Sequence, residues 1–208
     1  LTADVDWSKL KGIVLMHHGI FTFADDAKTS YDTMIELVDK AERFLLAKHP
    51  VDKFAAGEYE ASKHDAMALS GLRAAAGKLF GGPILLTLDT SSSAVGFACL
   101  PNAAELATRG PLTPDHTLHT KPFAAVFEDD LEQGLAHFTQ RYAEYFASHA
   151  HNEHQCLDKM PRFGVWQGKG LIYLAANAKR VGIVKDIVGH TVKSIQTSEA
   201  LGGWETLP

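Results

Sequence analysis

The sequence has few of the features that mark secreted, membrane or nucleic-acid-binding proteins. Its 208 residues include two cysteines, Cys99 and Cys156, which are too few for a disulfide framework and are typical of a reducing cytoplasm. No apolar run approaches the roughly 20 residues that a membrane-spanning helix needs. The formal net charge is −5, and no basic stripe with interleaved aromatic residues is present. These absences predict a cytoplasmic protein that binds neither membranes nor nucleic acids.

The glycine motifs that bind nucleotide phosphates are also missing. No G-x-G-x-x-G follows a strand-like run, and no P-loop is present. What the sequence does contain is 46% hydrophobic residues, arranged in helix-like and strand-like runs that are intermixed along the chain. Several strand-like runs come in short hairpin-like pairs. The pattern therefore predicts an α/β fold with a mixed, partly antiparallel sheet flanked by helices, and not a Rossmann fold.

Hydrophobic periodicity, capping residues and glycine or proline stops place the individual elements. The predicted helices are one that follows Asp25 or Asp26 and others over residues 62–79, 102–108, 130–148 and 177–200. The predicted strands are 12–16, 20–23, 83–89, 91–100, 123–127, 162–167 and 170–175. Two polar stretches, 109–122 and 149–161, are predicted to be loops.

The chain repeats part of its own pattern at an offset of 151 residues. The segment VLMHHGIFTFADDAK (14–28) aligns with VWQGKGLIYLAANAK (165–179). Each segment has the pattern of a strand, a tight glycine joint, a second strand and a capped helix. This order of elements is also common in unrelated segments. The informative difference lies just before the glycine, where the first segment has His18 and the second has Lys169, which cannot bind a metal ion while protonated.

The stretch VLMHHGIFTFADDAKTSYDTMIELVDKAERFL resembles the C-terminal signature of the class II aldolase/adducin family. RGPLTPDHTLHTKP and SEALGGWETLP are similar to stretches in the aldolase portion of bifunctional proteins that join a rhamnulose-phosphate-type aldolase to a short-chain dehydrogenase. The resemblance implies a divalent metal cofactor, usually zinc, held by a His-x-His pair and a third histidine just before the glycine. His18 matches that third ligand. The resemblance also implies an upstream glutamate for acid–base chemistry, a sugar phosphate substrate and a homo-oligomer.

The chain lacks the rest of this ligand set. No His-x-His precedes His18, and the glutamate that should also lie upstream is absent. We therefore interpret residues 1–60 as the C-terminal part of a first aldolase-like unit and residues 61–208 as a second, degenerate aldolase-like unit. The first residue is Leu1, and a strand-like run follows it without an earlier element to pair with. We expect the chain to be a segment of a longer polypeptide.

Two further histidines could contribute metal ligands. His116 and His119 are three residues apart, so an extended strand would not place both side chains on one face, although a turn could bring them together. The alternative is that both form hydrogen bonds within their loop, where Pro114 and Asp115 favour a turn. A third hypothesis is that two chains pair, so that His18 of one chain joins His116 and His119 of the other.

Three other polar clusters have both a functional and a simpler interpretation. The hydroxyl groups of DTSSSAV (89–95) could bind a phosphate together with converging backbone N–H groups, or could form a hydrophilic hairpin turn. The tract that contains His149, His151 and His154 has the composition of a soft-metal cluster, but a solvated surface loop explains it more simply. Lys169 could receive a phosphate or remain solvated at its turn.

These observations lead to one hypothesis and one alternative. The hypothesis is a segment of a metal-dependent class II aldolase-type lyase, which cleaves a phosphorylated deoxy sugar into dihydroxyacetone phosphate and an aldehyde, in a parent fused to a short-chain dehydrogenase. Because the ligand set is incomplete, we expect the isolated chain to hold no metal and to be inactive, even where the parent is an enzyme. The alternative is a non-catalytic, adducin-type structural or oligomerisation module.

Overall fold

The computed structural model describes residues 4–16, 18–50 and 53–206. The chain divides into two compact units, Leu1–Lys53 and Phe54–Pro208. The interpretation of 1–60 and 61–208 as two aldolase-like units stays a prediction. Over the part of the chain that is described, no helix is both long enough and apolar enough to cross a membrane.

The first unit is a β-hairpin followed by a long helix. Its elements are a 3-10 helix Trp7–Lys9, strands β1 (Gly12–Leu15) and β2 (Gly19–Thr22), and helix α1 (Ala27–Lys48). The two strands pair antiparallel. Helix α1 begins where it does because the Asp26 side chain accepts a hydrogen bond from the Thr29 N–H and so caps the helix.

The second unit combines strands with helices of very different lengths. In chain order its elements are α2 (Lys63–Phe80), β3 (Leu85–Asp89), α3 (Ser92–Ala98), α4 (Ala103–Thr108), α5 (Pro114–Thr120), β4 (Ala125–Phe127), α6 (Leu131–His149), β5 (Phe163–Trp166), β6 (Gly170–Ala175) and α7 (Ala178–Leu201). Ser62 and Asp65 form a capping box at α2. The side chains of Asp130 and Asn177 accept backbone N–H groups at α6 and α7. These caps fix where the three long helices begin.

The strands of the second unit form one sheet in the order β3-β6-β5-β4. The β3–β6 and β6–β5 pairs are antiparallel, and the β5–β4 pair is parallel. Alternate residues of β6 face opposite sides: Leu171 and Tyr173 join the apolar cluster with α3, α4 and α7, whereas Ile172 and Leu174 join the cluster with α2 and α6. The predicted α/β fold, with a mixed, partly antiparallel sheet flanked by helices, is therefore confirmed.

The two segments related by the 151-residue offset share features of local structure over their described residues. The turn after β1 is closed by a hydrogen bond of 3.2 Å from the His18 N–H to the Leu15 carbonyl oxygen. The turn after β5 is closed by one of 2.9 Å from the Lys169 N–H to the Trp166 carbonyl oxygen. The glycine that follows each turn has a positive φ, +146° in the first segment and +141° in the second. The aligned sequences therefore build equivalent joints.

Two of the predicted elements are wrong. Residues 91–100, predicted as a strand paired with β3, contain helix α3, whose residues 94–98 are all buried. Gly96 of this helix packs so closely that a Cβ there would lie 2.3 Å from the carbonyl group of Ala55. The predicted loop 109–122 contains α5, because Pro114, which suits a turn, also suits the first turn of a helix.

Candidate functional site

His18 lies in the exposed turn between β1 and β2. Its ring stacks on that of Phe21, with the ring centroids 5.8 Å apart and the planes at 15°. The backbone of the turn therefore presents the imidazole on the outside of the hairpin, beside an aromatic neighbour.

His116 and His119 lie one turn apart on α5, so the helix places them on the same side. Nδ1 of His116 is 2.6 Å from the Thr113 hydroxyl oxygen, and burial lowers the pKa of His116. Nδ1 of His119 is 3.5 Å from a guanidinium nitrogen of Arg180, a cation that disfavours a metal ion nearby. The helix places the two histidines on one side, and each has a different neighbour within the protein.

The described residues do not fit the divalent metal that the family resemblance implies. A catalytic zinc takes three protein ligands. Among the residues that the structure describes, no group of three or more His, Cys, Asp or Glu side chains is arranged to hold a metal. The roles of His18, His116 and His119 as ligands stay predictions.

The joint between β5 and β6 holds Lys169 in an ion pair. Its ammonium nitrogen lies 2.6 Å from Oδ1 of Asp65 and 4.2 Å from the centroid of the Trp166 ring. The Lys169 side chain is 25% exposed and that of Asp65 is 2% exposed. Because Asp65 belongs to the α2 capping box, the ion pair connects the turn between β5 and β6 to the first turn of α2. Neither interpretation from sequence, a phosphate ligand or a solvated lysine, anticipated this contact.

The carboxylate of Asp65 is surrounded by hydrogen-bond donors. Its Oδ2 accepts bonds of 2.6 Å from the hydroxyls of Tyr59 and Ser62 and one of 2.8 Å from the Ser62 N–H. The bonds from Lys169, Ser62 and Tyr59 hold the pKa of Asp65 well below its ordinary value. Partial burial opposes the charge of Lys169, but the bond to Asp65 outweighs it and raises the pKa of Lys169. Both groups are therefore charged at neutral pH.

The hydroxyl cluster of DTSSSAV lies at the start of α3 and not in a hairpin turn. Asp89, which is 8% exposed, ends β3, and its Oδ1 accepts the Ser91 N–H at 2.9 Å. Burial opposes the charge of Asp89, but hydrogen bonds from Ser91 and Lys185 outweigh it and lower the pKa of Asp89. Asp89 is therefore ionised, with the Lys185 ammonium 3.0 Å away.

The histidine tract begins at the last residue of α6, continues into the segment that follows and forms local contacts. Nδ1 of His149 is 2.8 Å from the Tyr145 carbonyl oxygen, and Nδ1 of His154 accepts the His151 N–H at 2.9 Å. These residues are exposed or only half-buried. The simpler interpretation, a polar surface loop, explains these contacts.

Sequence reasoning missed one buried cation, Lys121, which follows α5. Its side chain is 3% exposed, and its ammonium donates to the Asp158 carbonyl oxygen and lies 3.9 Å from the centroid of the Tyr142 ring. Its φ of 63° is unusual for a residue other than glycine. Burial, reinforced by the charge of Arg162, lowers the pKa of Lys121 to about 8. No local pattern in the threonine- and histidine-rich stretch around it indicates burial.

Comparison with known proteins identifies the family. A protein of Bacillus subtilis (strain 168) named uncharacterized oxidoreductase YuxG is 22% identical over 217 residues, an alignment that covers 94% of this chain and 31% of that protein. The chain thus spans less than a third of the length of this curated relative. No solved structure matches the chain. Residues 63–208, nearly the whole second unit, match the family described as aldolase class II, second domain. By this match the chain belongs to the class II aldolase family and carries its second domain.

Proposed function

We propose that the chain is part of a metal-dependent class II aldolase-type lyase, in which residues 61–208 form a degenerate aldolase-like unit that supports the enzyme without binding the metal. The ion pair between Lys169 and Asp65 carries this proposal. Where the first segment has His18, the second unit has an ammonium group 2.6 Å from a buried carboxylate. An ammonium group has no lone pair for a metal ion, and the carboxylate oxygens are already occupied by donors.

Membership of the family supports the reaction class. We infer that the substrate is a phosphorylated deoxy sugar, such as a ketose 1-phosphate, and that the products are dihydroxyacetone phosphate and an aldehyde. A divalent metal, zinc by the family resemblance, polarises the substrate carbonyl when it is bound. The described residues do not complete its ligand set, so we assign no step of the reaction to it in this chain. His18 is the proposed ligand in the intact catalytic unit. His116 and His119 lie in the second unit, and a metal ion held by them would contradict the role proposed for that unit.

We propose three further properties of the whole protein. A short-chain dehydrogenase in the same polypeptide would oxidise the aldehyde, and the description of the similar YuxG protein as an oxidoreductase supports this proposal. A homo-oligomer is supported by the family resemblance. A cytoplasmic location is supported by Cys99 and Cys156, which are both exposed and not in a disulfide.

Metal content tests whether this chain lacks a complete metal site, as we propose. The purified chain is dialysed mildly and analysed by mass spectrometry for bound metals, beside His18→Ala and Lys169→Met. We expect no stoichiometric metal in any of the three. About one ion per chain, lost in His18→Ala, would show a complete site and contradict the proposal.

Lyase activity tests the proposed reaction and the proposed division of roles between the two units. The whole protein that contains this chain is assayed for release of dihydroxyacetone phosphate from ketose 1-phosphates, with an NADH-coupled readout. We expect release that a chelator and His18→Ala abolish and that Lys169→Met retains per folded molecule. An equal loss of activity in both variants would show that the second unit takes part in catalysis, and this would overturn the proposed division of roles.

The second candidate function is a non-catalytic module that supports assembly. The same ion pair favours it, because Lys169 and Asp65 hold the joint together without any ligand chemistry. Light scattering and the lyase assay separate the two functions. Oligomers that release no dihydroxyacetone phosphate with any added divalent metal would establish the module, and metal-dependent release would exclude it.

A further inference from the structure

A cleft of about 410 Å³ lies in the second unit, between the start of α3 and one face of α7. Its volume is within the range of about 300–1,000 Å³ that is usual for small-molecule sites. Ser91 and Ser93 line one wall, and Gly189 and Lys193 line the other. The cleft shares no lining residue with the Lys169 ion pair or with the candidate metal histidines.

The floor of the cleft is polar and fixed in position. Asp89 and Tyr173, which are 8% and 1% exposed, form this floor. The Asp89 carboxylate is 3.0 Å from the Lys185 ammonium and 3.3 Å from the Tyr173 hydroxyl oxygen. The Lys185 ammonium offsets the charge of Asp89, and Asp186, which also lines the cleft, adds a second carboxylate. This end therefore favours hydroxyl groups over an anionic group. Such an end suits the hydroxyl groups of a ligand.

The other end of the cleft is rich in donors. His190, Lys193 and Gln196 are spaced three residues apart on α7 and line the same cleft. Oε1 of Gln196 accepts the Ala55 N–H at 2.7 Å, which leaves the amide nitrogen of Gln196 as a donor. Within the described ranges, Lys193 has no hydrogen-bond or ion-pair partner. Asp186, the other acid that lines the cleft, is about 10 Å from Lys193 along the helix axis.

We propose that this cleft binds a small organic anion that carries hydroxyl groups, with the anionic group at Lys193 and Gln196 and the hydroxyls at Asp89 and Ser91. Ammonium and amide donors bind a phosphate monoester or a carboxylate by the same chemistry. The site needs no metal and no bond cleavage, so it stands apart from the proposed lyase function.

Two glycines of α7 provide a matched steric test. Gly189 lines the cleft, and a Cβ at this position would meet no atom within 4 Å outside its own stretch of helix. Gly189→Leu therefore places an apolar side chain at the cleft from a position where the added Cβ meets no neighbour. Gly182 is equally open but lies outside the cleft, so Gly182→Leu gives the same gain in helix propensity without filling it. Lys193→Ala tests the charge, and Lys179→Ala, an exposed residue of α7 outside the cleft, is its control.

Isothermal titration calorimetry measures binding of glycerol 3-phosphate, D-glycerate, glycerol and inorganic phosphate to the whole chain. We expect glycerol 3-phosphate or D-glycerate to bind and glycerol not to bind, and the anion that binds identifies the phosphate or the carboxylate as the recognised group. Gly189→Leu and Lys193→Ala should weaken binding at least about tenfold, and the two control variants should stay within about twofold. Thermal unfolding confirms that each variant is folded.

Three results would overturn the proposal. The first is that the wild type binds neither organic anion. The second is that inorganic phosphate binds as tightly as the organic anions, which would remove the role of the hydroxyl groups. The third is that Gly182→Leu and Lys179→Ala weaken binding as much as the cleft variants do, which would show that the ligand is held by general charge and not by the cleft.

Discussion

Breaking the ion pair between Lys169 and Asp65 should destabilise the second unit by an amount that the geometry limits. Removing one partner of a fully buried pair costs about 3–5 kcal/mol, and a hydrogen bond to a charged group contributes about 1.5–3 kcal/mol. Lys169 is 25% exposed, and Asp65 keeps its bonds from Tyr59 and Ser62, so the smaller range applies. We expect Lys169→Met to lower the free energy of unfolding by about 2 kcal/mol at neutral pH.

The effect should depend on pH with a definite sign. The pKa of Asp65 is lower in the folded protein than its ordinary value of 3.8, so the unfolded chain binds a proton first as the pH falls. The stabilisation is therefore present above a pH of about 4 and is lost as the pH falls towards the depressed pKa. Removal of Lys169 raises the folded pKa of Asp65. The difference in stability between the wild type and Lys169→Met should therefore shrink below that pH.

Urea unfolding followed by tryptophan fluorescence measures this effect. Trp166 is 2% exposed and lies 4.2 Å from the Lys169 ammonium, so it reports on unfolding around the joint. The wild type, Lys169→Met, Asp65→Asn and the double variant form a double-mutant cycle, from which we expect a coupling energy of at least about 1 kcal/mol. A coupling energy of zero at neutral pH, or one that does not change on acidification, would refute the reasoning.

Other substitutions test separate contacts of the fold. Burial lowers the pKa of Lys121 from 10.5 to about 8, so the unfolded chain binds more protons between these values, and wild-type stability should rise over that pH window. Relative to Lys121→Met, the free energy of unfolding of the wild type should rise by up to about 3 kcal/mol over this window, as measured by urea unfolding at each pH. Parallel profiles of stability against pH for the two proteins would contradict the prediction. Gly96→Ala should cost about 1–3 kcal/mol, because its Cβ would lie 2.3 Å from the Ala55 carbonyl group. Gly182→Ala, at an open helical position, should raise the free energy of unfolding by about 1 kcal/mol. Equal melting temperatures for Gly96→Ala and Gly182→Ala would contradict the close packing at α3. His18→Ala should change stability by less than about 0.5 kcal/mol because the side chain is exposed, and a larger loss in thermal unfolding would assign it a structural role.

Local patterns are sufficient to predict the long helices of the second unit. Helices α6 and α7 lie at Leu131–His149 and Ala178–Leu201, within one residue of the predicted bounds. Each has a capping side chain and an apolar stripe at helical spacing, and both signals are local. The prediction for 91–100 is wrong because a short apolar run of small residues is compatible with a strand and with a buried helix. Burial decides between the two, and burial depends on the rest of the fold.

The candidate site depends on contacts that no local pattern shows. Lys169 pairs with Asp65, which is 104 residues away in sequence, and Lys121 donates to Asp158, which is 37 residues away. The S-x-x-D pattern that begins with Ser62 predicts the start of a helix. It does not predict that the same carboxylate neutralises a lysine of a distant hairpin. The sequence therefore predicts the hairpin at this joint and the start of α2, and tertiary packing determines which charges meet there.

The two glycine joints share two described backbone features and differ in their surroundings. Each has a closing hydrogen bond and a glycine with positive φ, so the backbone alone does not select the chemistry. The β5–β6 joint adjoins the two central strands of the sheet, where an uncompensated charge is costly, and there Lys169 occurs together with the carboxylate of Asp65. His18 lies in an exposed turn, where its ring stacks on that of Phe21. The same order of strand, turn, strand and helix therefore accommodates an exposed histidine at one joint and an ion pair with a buried carboxylate at the other, where the ion pair itself stabilises the turn.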